Sequence, residues 1–382
     1  MSLSPLFVEK SFDDLPGWGD DDHLAAFAAF RRSAFHVLAR PYRSGALGVD
    51  FTAFAEAYAQ ARAVSLPNRP SFSARNEARS FFERYFSPAR IEAEDGGLVT
   101  GFYEPEVEAS PVRTDRFTVP LLSRPADLID IDDASRPSGM DPYLAFARDT
   151  PHGPVEYLDR GEIERGALAG EDLPGEGLAG KGLEIAWLAD KVDAFFIHVQ
   201  GAARLNMTDG RLRRITYAAK SGQRFTGPGK ILSQIGEIPL EKVTMQSIRA
   251  WFKAHPDRID EILWQNRSYI FFREAAVEDA ALGPIAAAKV PLTPGRSVAV
   301  DRLLHTFGTP FYIDAPSLTA FDSKPFRRLM IAQDTGSAIT GPARGDLFAG
   351  SGDAAGEIAG IVRNAADFYA LVPRSLVAGA VR

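Results

Sequence analysis

The chain has 382 residues, of which 45% are hydrophobic, so it is long enough for two or three domains with sizeable cores. Its net charge is −7 with acidic and basic residues interspersed, which argues against a nucleic acid or a membrane surface as partner. The absence of cysteine excludes disulfides, thiol nucleophiles and cysteine metal sites, and no apolar stretch reaches the roughly 18 residues that a membrane span needs.

The N-terminal part of the chain, residues 20–86, is predicted to be helical because its apolar residues recur at helix spacing. One helix is predicted to end before Pro41, and a second to follow Asp50. A third helix is predicted to begin at Ser73 and to end before Pro88. The aromatic residues along these helices are predicted to form core rather than a binding site.

The sequence pattern changes between residues 97 and 235, where short apolar runs such as 119–122 alternate with clusters of Gly, Pro and Asp such as 172–177. This pattern predicts a mostly β region. Its clearest predicted strand is Ala194–Gln200, in which alternate residues would face the core while the others would be free to face a ligand. The acidic segment 127–133 is predicted to be a solvated loop.

Helical periodicity returns over residues 244–252 and 257–264. The last third is again strand-like. Short apolar runs, several bounded by Gly or Pro, occur at residues 269–272, 297–300, 310–313 and 329–332. Runs of this length and spacing favour a small closed barrel over a βαβ sheet.

The main chemical feature of the sequence is residues 329–352, where a short apolar run is followed by two aspartates among five glycines. A strand that delivers Asp334 into a glycine-rich turn would let the backbone approach a ligand closely, and the next loop would present Asp346 beside it. Asp353 follows directly. Each aspartate has an alternative structural interpretation, because aspartates in glycine-rich turns commonly bond their own backbone.

The tetrapeptide that begins at Asp334, Asp-Thr-Gly-Ser, matches the active-site signature of aspartic proteases, in which two carboxylates share a proton and activate water. That mechanism needs a second Asp-Thr-Gly, and the sequence contains none. A pepsin-like monomer is therefore excluded. A dimeric protease with one aspartate per chain is a poor fit to a chain of this length.

Five further segments precede the aspartate module in a fixed order. Together with that module they resemble the lytic murein transglycosylase A family, whose C-terminal domain carries three aspartates, and the resemblance runs from about residue 99 to 360. The five segments are Gly101–Pro105, Ile197–Gly201, Tyr217–Gly222, Asn266–Phe272 and Val290–Ser297.

The resemblance implies a mainly β fold with N-terminal helices. Residues 1–104 and 236–382 would form the helices and a double-psi β-barrel catalytic domain, and 105–235 would form an inserted β-rich substrate-binding domain. The glycan would lie in a groove between the two, where ligands generally bind. The family motif often has threonine where this chain has Glu104, so the resemblance does not say what Glu104 contacts.

By the same resemblance, Asp346 matches the catalytic carboxylate, with Asp334 supporting it. A lytic transglycosylase uses no water, because the C6 hydroxyl of the substrate attacks C1 and closes a 1,6-anhydro ring. Asp346 would therefore act first as acid and then as base. Its pKa should lie well above the ordinary value of about 4, and burial beside Leu347 and Phe348 or a neighbouring carboxylate would raise it.

Other residues in the matching motifs have side chains or backbone that suit a sugar-binding surface, where rings pack on pyranose faces and polar groups bond hydroxyls. They are equally compatible with ordinary packing or surface positions. These candidates for substrate binding are Thr100, Tyr103, Gln200, Gly201, Tyr217, Lys220 and Asp353. No His-Glu-x-x-His, calcium-loop or phosphate-loop motif occurs in the sequence, so no metal, nucleotide or other cofactor is predicted.

The resemblance predicts a monomeric enzyme that cleaves the glycan strands of peptidoglycan. Such a substrate places the protein in the periplasm, with an export signal removed from this chain and attachment to the outer membrane through a further N-terminal segment as an option. An alternative from another class is a glycan-binding barrel protein without turnover, in which Asp346 would only accept hydrogen bonds.

Overall fold

The structure is a computed structural model that describes residues 3–64, 71–166 and 182–377. The turn cluster predicted at 172–177 lies outside the described residues. The chain forms two compact units. The first comprises Met1–Tyr103 and Asp279–Arg382, and the second comprises Glu104–Glu278.

The described chain contains both strands and helices. The strands are β1 Phe7–Glu9, β2 Phe86–Ile91, β3 Leu98–Glu104, β4 Glu106–Ala109, β5 Val119–Leu122, β6 Leu128–Asp130, β7 Phe146–Arg148, β8 Glu184–Leu188, β9 Ala202–Met207, β10 Leu212–Lys220, β11 Ile270–Ala275, β12 Ser297–Val300, β13 Pro310–Ala315, β14 Phe326–Asp334, β15 Arg344–Ser351, β16 Arg363–Ala365 and β17 Asp367–Pro373. The α-helices are α1 His23–His36, α2 Ala55–Ala63, α3 Phe72–Tyr85, α4 Arg160–Glu164, α5 Lys191–Gln200, α6 Pro228–Gln234, α7 Met245–Ala254, α8 Ile259–Leu263, α9 Asp353–Ile361 and α10 Arg374–Val377. Short 3₁₀ helices cover Phe12–Asp14, Trp18–Asp20, Phe51–Phe54, Leu240–Lys242 and Pro256–Arg258.

The three N-terminal helices predicted from the sequence are confirmed, and polar side chains cap their first turns. The carboxylate of Asp22 accepts a hydrogen bond from a backbone N–H of α1, and the hydroxyl of Ser71 does the same for α3. Asp50 caps the 3₁₀ turn that leads into α2. Helix α3 stops at Tyr85, earlier than predicted, because Pro88 lies inside strand β2 rather than at the helix end.

The first unit contains a nine-stranded sheet in the order β1-β2-β17-β13-β14-β12-β15-β3-β16. Strand β12 pairs in parallel with β14 and antiparallel with β15. Among the described strands this order runs from edge to edge and does not close on itself, so the unit is a mixed helix and sheet structure. The double-psi β-barrel expected for this unit is not confirmed.

The core of the first unit joins the N-terminal helices to the sheet. The ring of Phe30 on α1 lies 5.9 Å from that of Phe82 on α3 and 5.8 Å from that of Phe86 on β2, measured between ring centroids. Edge-to-face contacts of this kind add to the free energy gained by burying the rings. All three are fully buried, so the prediction that the aromatics of this region form core is confirmed for Phe82 and Phe86, but it is wrong for Phe35 of α1, which is exposed.

A buried amide fixes strand β14 to its neighbours. Gln333 is fully buried, and its Nε2 donates to the carbonyl of Ala29 at 2.8 Å and to the hydroxyl of Ser33 at 3.0 Å, both on α1. Its Oε1 accepts a hydrogen bond from Ser297 Oγ of β12 at 2.6 Å. Successive side chains of a strand point to opposite faces of the sheet. Gln333 therefore anchors one face of β14 at its end, and Asp334 lies on the opposite face.

The second unit contains a four-stranded sheet in the order β11-β10-β9-β4 and two smaller two-stranded sheets. It continues to Glu278, beyond the predicted insert boundary at residue 235. The reason is that β11 pairs antiparallel with β10, which brings helices α6 to α8 into the same unit. The predicted strand and helix segments from 244 to 272 are confirmed as α7, α8 and β11.

The strand predicted at Ala194–Gln200 is wrong, because this segment belongs to helix α5. The carboxylate of Asp190 accepts hydrogen bonds from the N–H groups of Val192 and Asp193, which caps the first turn. The helix ends at Gly201, whose φ of 74° is the left-handed conformation that glycine adopts readily.

The apolar pattern of α5 is misleading because the helix is buried on two sides. Ala194 and Ile197 pack into the cluster around the four-stranded sheet. Val192, Phe195 and Phe196 pack into a second cluster formed with helices α6 to α8. Apolar residues therefore occupy six of the ten positions of α5 and lie on more than one side of it, and a short apolar run of this kind does not distinguish a strand from a buried helix.

The acidic segment 127–133 is only partly a loop. Its centre forms strand β6, which pairs with β7, and Leu128 is buried. Asp127 accepts hydrogen bonds from the hydroxyl of Tyr157 at 3.0 Å and from Arg148 Nε at 3.1 Å. The remaining aspartates of the segment are exposed, as predicted.

Candidate active site

The two central aspartates lie on strands that flank β12. Asp334, the last residue of β14, is in register with Ala299 of β12, and Asp346 of β15 is in register with the same alanine from the other side. Neighbouring strands are about 4.8 Å apart, so the backbones of the two aspartates are separated by roughly 10 Å. The sheet therefore brings together two carboxylates that are 12 residues apart in the sequence.

Asp346 lies on a strand rather than on the predicted loop. The glycines around it made the segment look like a loop in the sequence. Gly345, however, is explained by close packing against neighbouring side chains. A Cβ at Gly345 would lie 3.0 Å from the ring of Phe368 and 3.1 Å from the side chain of Val298. The glycine lets β15 approach these neighbours closely, and it does not mark a turn.

The carboxyl group of Asp346 is half-buried and has one direct hydrogen-bond donor. Thr100 Oγ1, on the neighbouring strand β3, donates to Asp346 Oδ1 at 2.5 Å. Burial raises the pKa of Asp346 above its ordinary value, although the Thr100 hydrogen bond and the charge of Arg344 oppose the rise. A raised pKa is what a general acid needs, because it must hold its proton near neutral pH.

Arg344 was not identified from the sequence, yet it belongs to this group of side chains. Its Nη2 donates to Thr100 Oγ1 at 2.7 Å, and its Nη1 donates to the carbonyl of Gly345 at 2.5 Å. Burial lowers the pKa of Arg344, but an arginine remains protonated at neutral pH. Arg344 is two residues before Asp346, so recognition of the strand would have placed both on one face.

Apolar side chains continue the face on which Asp346 lies. Phe348 is two residues further along β15 and is fully buried, and its ring lies 5.3 Å from that of Phe102, two residues beyond Thr100 on β3. Leu347, on the other face of the strand, is also fully buried. The expectation that burial beside these two residues raises the pKa of Asp346 agrees with this environment.

Asp334 has a strongly perturbed pKa. Its pKa is raised to about 6, chiefly by burial and to a smaller extent by the charge of Asp346, while hydrogen bonds from the backbone N–H groups of Thr335 and Ala287 oppose the rise. The N–H of Ala287 lies 3.2 Å from Asp334 Oδ1. A carboxyl with this pKa changes its charge close to neutral pH, which is common at functional sites.

Replacing Asp334 with asparagine should change how stability depends on pH. Because its pKa is raised to about 6, the folded protein holds a proton between about pH 4 and 6 that the unfolded chain has released. The free energy of unfolding of the wild-type protein should therefore fall, relative to that of Asp334→Asn, as pH rises through this window. Urea unfolding at several pH values measures the difference.

Asparagine retains an oxygen that can accept a hydrogen bond from the Ala287 N–H. The comparison of wild type with Asp334→Asn therefore isolates the effect of protonating the Asp334 carboxyl group. Asp95→Asn, at an exposed position in the turn between β2 and β3, is the matched control for the chemical change from carboxylate to amide. A constant difference between wild type and Asp334→Asn from pH 4 to 6 would contradict the assigned pKa.

Tyr103 of β3 and Asp353 are both associated with helix α9. Tyr103 is 7% exposed, and its ring would lie 2.8 Å from a Cβ at Gly356, so it packs closely on α9. Asp353 is exposed and begins α9 after Gly352. It lies in the first helical turn, where a negative charge is favourable, rather than in the turn predicted for it. Substrate contacts of both residues stay predictions.

The remaining candidates lie in the second unit. Gln200 and Gly201 end helix α5, and the carbonyl of Gly201 accepts the N–H of Tyr217 at 2.7 Å, which joins the helix end to β10. Tyr217 is 42% exposed, and partial burial raises the pKa of its hydroxyl to about 12. Lys220 Nζ lies 5.4 Å from the ring centroid of Tyr143. Their roles in substrate binding stay predictions.

Glu104 has partners that the sequence did not reveal. It is fully buried and accepts hydrogen bonds from Arg204 Nε at 2.9 Å and from Arg214 Nε at 2.6 Å. The two arginines lie directly opposite each other on β9 and β10. Like charges in such a pair repel, so the carboxylate of Glu104 compensates two buried cations at the start of the second unit.

Within the described ranges, no group of three or more histidine and acidic side chains is placed to hold a metal ion. The same part of the chain contains no helix with the length and apolar character needed to cross a bilayer.

Comparison with known proteins identifies the class of the two units. A family model described as the MltA specific insert domain matches residues 98–273, and one described as the 3D domain matches residues 296–372. The chain thus combines a 3D domain with an MltA insert. A crystal structure of the membrane-bound lytic murein transglycosylase from Agrobacterium tumefaciens is 49% identical, with a TM-score of 0.89 and coverage of 98% of this chain and 99% of that chain. The chain therefore belongs to the lytic murein transglycosylase A family.

Two more distant relatives are consistent with this family assignment. MltA from Neisseria gonorrhoeae, in its monoclinic form, is 29% identical with a TM-score of 0.74, covering 96% of this chain and 92% of that chain. The membrane-bound lytic murein transglycosylase A of Escherichia coli K12 is 35% identical over 182 residues, which are 46% of this chain and 48% of that protein. The chain thus matches about half the length of this curated relative.

Proposed function

We propose that this protein is a peptidoglycan lytic transglycosylase that cleaves the β-1,4 bond between N-acetylmuramic acid and N-acetylglucosamine and leaves a 1,6-anhydro ring on the muramyl residue. Family membership and the names of the relatives support the reaction class. The observation that carries the proposal is Asp346, a half-buried carboxyl whose pKa is raised by burial. The proposed substrate is the glycan strand, and no cofactor is proposed.

The proposed reaction needs one carboxyl group in two protonation states. Protonated Asp346 donates its proton to the bridging oxygen as the bond from that oxygen to C1 breaks. The C6 hydroxyl oxygen of the same muramyl residue then bonds to C1, and its proton passes to the Asp346 carboxylate. Atoms and charge balance without water, and the acid is regenerated for the next cycle.

Asp334 is proposed to act as the electrostatic partner. The bond cleavage develops positive charge at C1, and a negative group near it lowers the barrier. With a pKa of about 6, Asp334 is mostly ionised at neutral pH, whereas Asp346 must be protonated for the first step. Two carboxyl groups held in different states by their surroundings are a recurrent arrangement in acid and base catalysis.

The inserted domain is proposed to bind the glycan through Gln200, Gly201, Tyr217 and Lys220, and the first unit through Tyr103 and Asp353. Two features support this assignment for the second unit: Tyr217 presents a partly exposed ring, and Lys220 presents an ammonium beside a second aromatic ring. Thr100 fits a different role, because its hydroxyl already contacts Asp346.

The finer architecture is also a proposal. We infer that the first unit, residues 1–103 and 279–382, carries catalysis, that the second unit, residues 104–278, carries substrate binding, and that the sheet of the first unit is organised as a double-psi β-barrel. The parallel pairing of β12 with β14 inside an otherwise mainly antiparallel sheet supports an unusual barrel topology. A periplasmic location, with the enzyme attached to the outer membrane or free, follows from the proposed substrate, and a monomer is proposed from the family resemblance alone.

Digestion of purified murein sacculi tests the proposed reaction. The expected products are soluble muropeptides that end in 1,6-anhydro-N-acetylmuramic acid, identified by mass spectrometry as 18 Da lighter than the hydrated forms because water is not added. New reducing ends would indicate a hydrolase. Binding to sacculi without soluble product would favour a glycan-binding protein, and either result would overturn the proposal.

A further inference from the structure

Three polar side chains from two neighbouring strands form a continuous hydrogen-bonded series. Arg344 Nη2 donates to Thr100 Oγ1 at 2.7 Å, and Thr100 Oγ1 lies 2.5 Å from Asp346 Oδ1. Arg344 is also held by its bond to the carbonyl of Gly345. The guanidinium is therefore fixed at two points, and the hydroxyl lies between a cation and a carboxyl group.

The direction of each bond follows from the chemistry of the groups. A guanidinium can only donate, so the hydroxyl oxygen of Thr100 must accept from Arg344. The hydroxyl has one hydrogen, which is then free to point at Asp346 Oδ1. This oxygen is occupied as an acceptor whether or not Asp346 is protonated, so a proton on the carboxyl group belongs on Oδ2.

We propose that Arg344 is a positioning residue that acts through Thr100 to hold Asp346 with Oδ1 as a fixed acceptor, so that Oδ2 carries the proton to the substrate oxygen. This inference rests on the proposed function. It assigns Thr100 to orientation of the acid rather than to sugar binding, and it gives a role to Arg344, a half-buried arginine close to Asp346.

Strand β12 contributes the uncharged Ala299 opposite Asp346. Other charged side chains occur on the elements around β15. They include Glu104 at the end of β3, Arg327, Arg328 and Asp334 of β14, Lys289 of the segment before β12, Arg363 of β16, and Asp353 and Glu357 of α9. The last three are exposed, and solvent screens them more than it screens Arg344.

Arg344→Met and Thr100→Val each remove one link while keeping a side chain of similar size. We expect kcat on purified glycan strands to fall about ten- to hundred-fold with KM little changed, because a misdirected acid slows the chemical step without weakening binding. The charge of Arg344 and the Thr100 hydroxyl both favour ionised Asp346. Removing either raises the pKa of Asp346, so the loss of activity on the alkaline side should move to higher pH.

A double-variant cycle distinguishes action through Thr100 from an independent effect. If Arg344 acts through the hydroxyl, Arg344→Met should change kcat at the optimal pH little when Thr100→Val is already present. Thr100→Ser keeps the hydroxyl and should restore most activity. Arg363→Met is the matched control, since Arg363 lies in register with Thr100 on β16 but is exposed, and it should behave as wild type.

The outcomes separate this inference from the proposed function. Wild-type protein that releases no anhydro product overturns the function itself. Active wild type with an unchanged pH profile in Arg344→Met, or with fold-changes that multiply in the double variant, overturns the positioning role alone. If Arg344→Met does not fold, as judged by circular dichroism, Thr100→Val and Thr100→Ser still decide the result.

Discussion

Asp346→Asn is expected to abolish the release of anhydromuropeptides, with a loss of about 10²- to 10⁴-fold in rate, the usual contribution of a general acid and base. The amide has nearly the shape of the carboxyl group and still offers an oxygen to Thr100 Oγ1, which lies 2.5 Å from Asp346 Oδ1. It cannot, however, transfer a proton to the bridging oxygen or accept one from the C6 hydroxyl. Turnover of sacculi followed by mass spectrometry measures the loss.

Folding of Asp346→Asn should be preserved. Burial disfavours the charged form of the Asp346 carboxyl group. A neutral amide of the same size avoids the free-energy cost of burying a charge at that position. Asp95→Asn removes an exposed carboxyl from the same unit and should leave the rate unchanged. Retained activity in Asp346→Asn would contradict the assignment and move the catalytic role to Asp334 or Asp353.

Much of the fold could be predicted where the sequence signals were local. The recurrence of apolar residues at helix spacing was sufficient to predict the N-terminal helices, and the structure adds their caps at Asp22 and Ser71. The strands β12 to β14 were found because apolar runs end at turn residues. Helix α5 was mistaken for a strand because its two buried sides remove the helical period, and only its neighbours distinguish the two.

In the candidate site, too, features with local sequence signals were predicted, whereas features that depend on strand pairing were not. Asp334 and Asp346 were chosen from composition and from the family resemblance, and the family is confirmed by the comparisons. Their common register with Ala299 was not predictable, since it depends on which strands pair. Arg344 was missed for the same reason: its partner Thr100 is 244 residues away in the chain. Catalytic and binding roles of these residues stay predictions.

Glu104 illustrates a departure from the family pattern that only the structure explains. Where the family often has threonine, this chain has a fully buried glutamate paired with Arg204 and Arg214. Sequence reasoning could not connect them, because the three residues lie on separate strands. The two arginines face each other across β9 and β10, so glutamate at this position is explained by local charge balance.

Glu104→Ala is expected to destabilise the second unit by about 3 to 5 kcal/mol, because it leaves two buried guanidinium groups without a counter-charge. The side chain of Arg214 is only 3% exposed and that of Arg204 only 10%, so water cannot readily replace the carboxylate. Three of the four tryptophans, Trp187, Trp251 and Trp264, lie in this unit. Urea unfolding followed by tryptophan fluorescence therefore reports mainly on the unit that is affected.

Glu108→Ala provides the matched control for this prediction. Glu108 lies on β4 of the same unit and pairs with Arg116, but its side chain is 50% exposed. An exposed ion pair contributes at most about 1 kcal/mol, so its loss should shift the urea midpoint only slightly. Equal shifts for Glu104→Ala and Glu108→Ala would mean that the buried arginines gain other compensation. The glutamate would then be a tolerated substitution rather than a requirement of this unit.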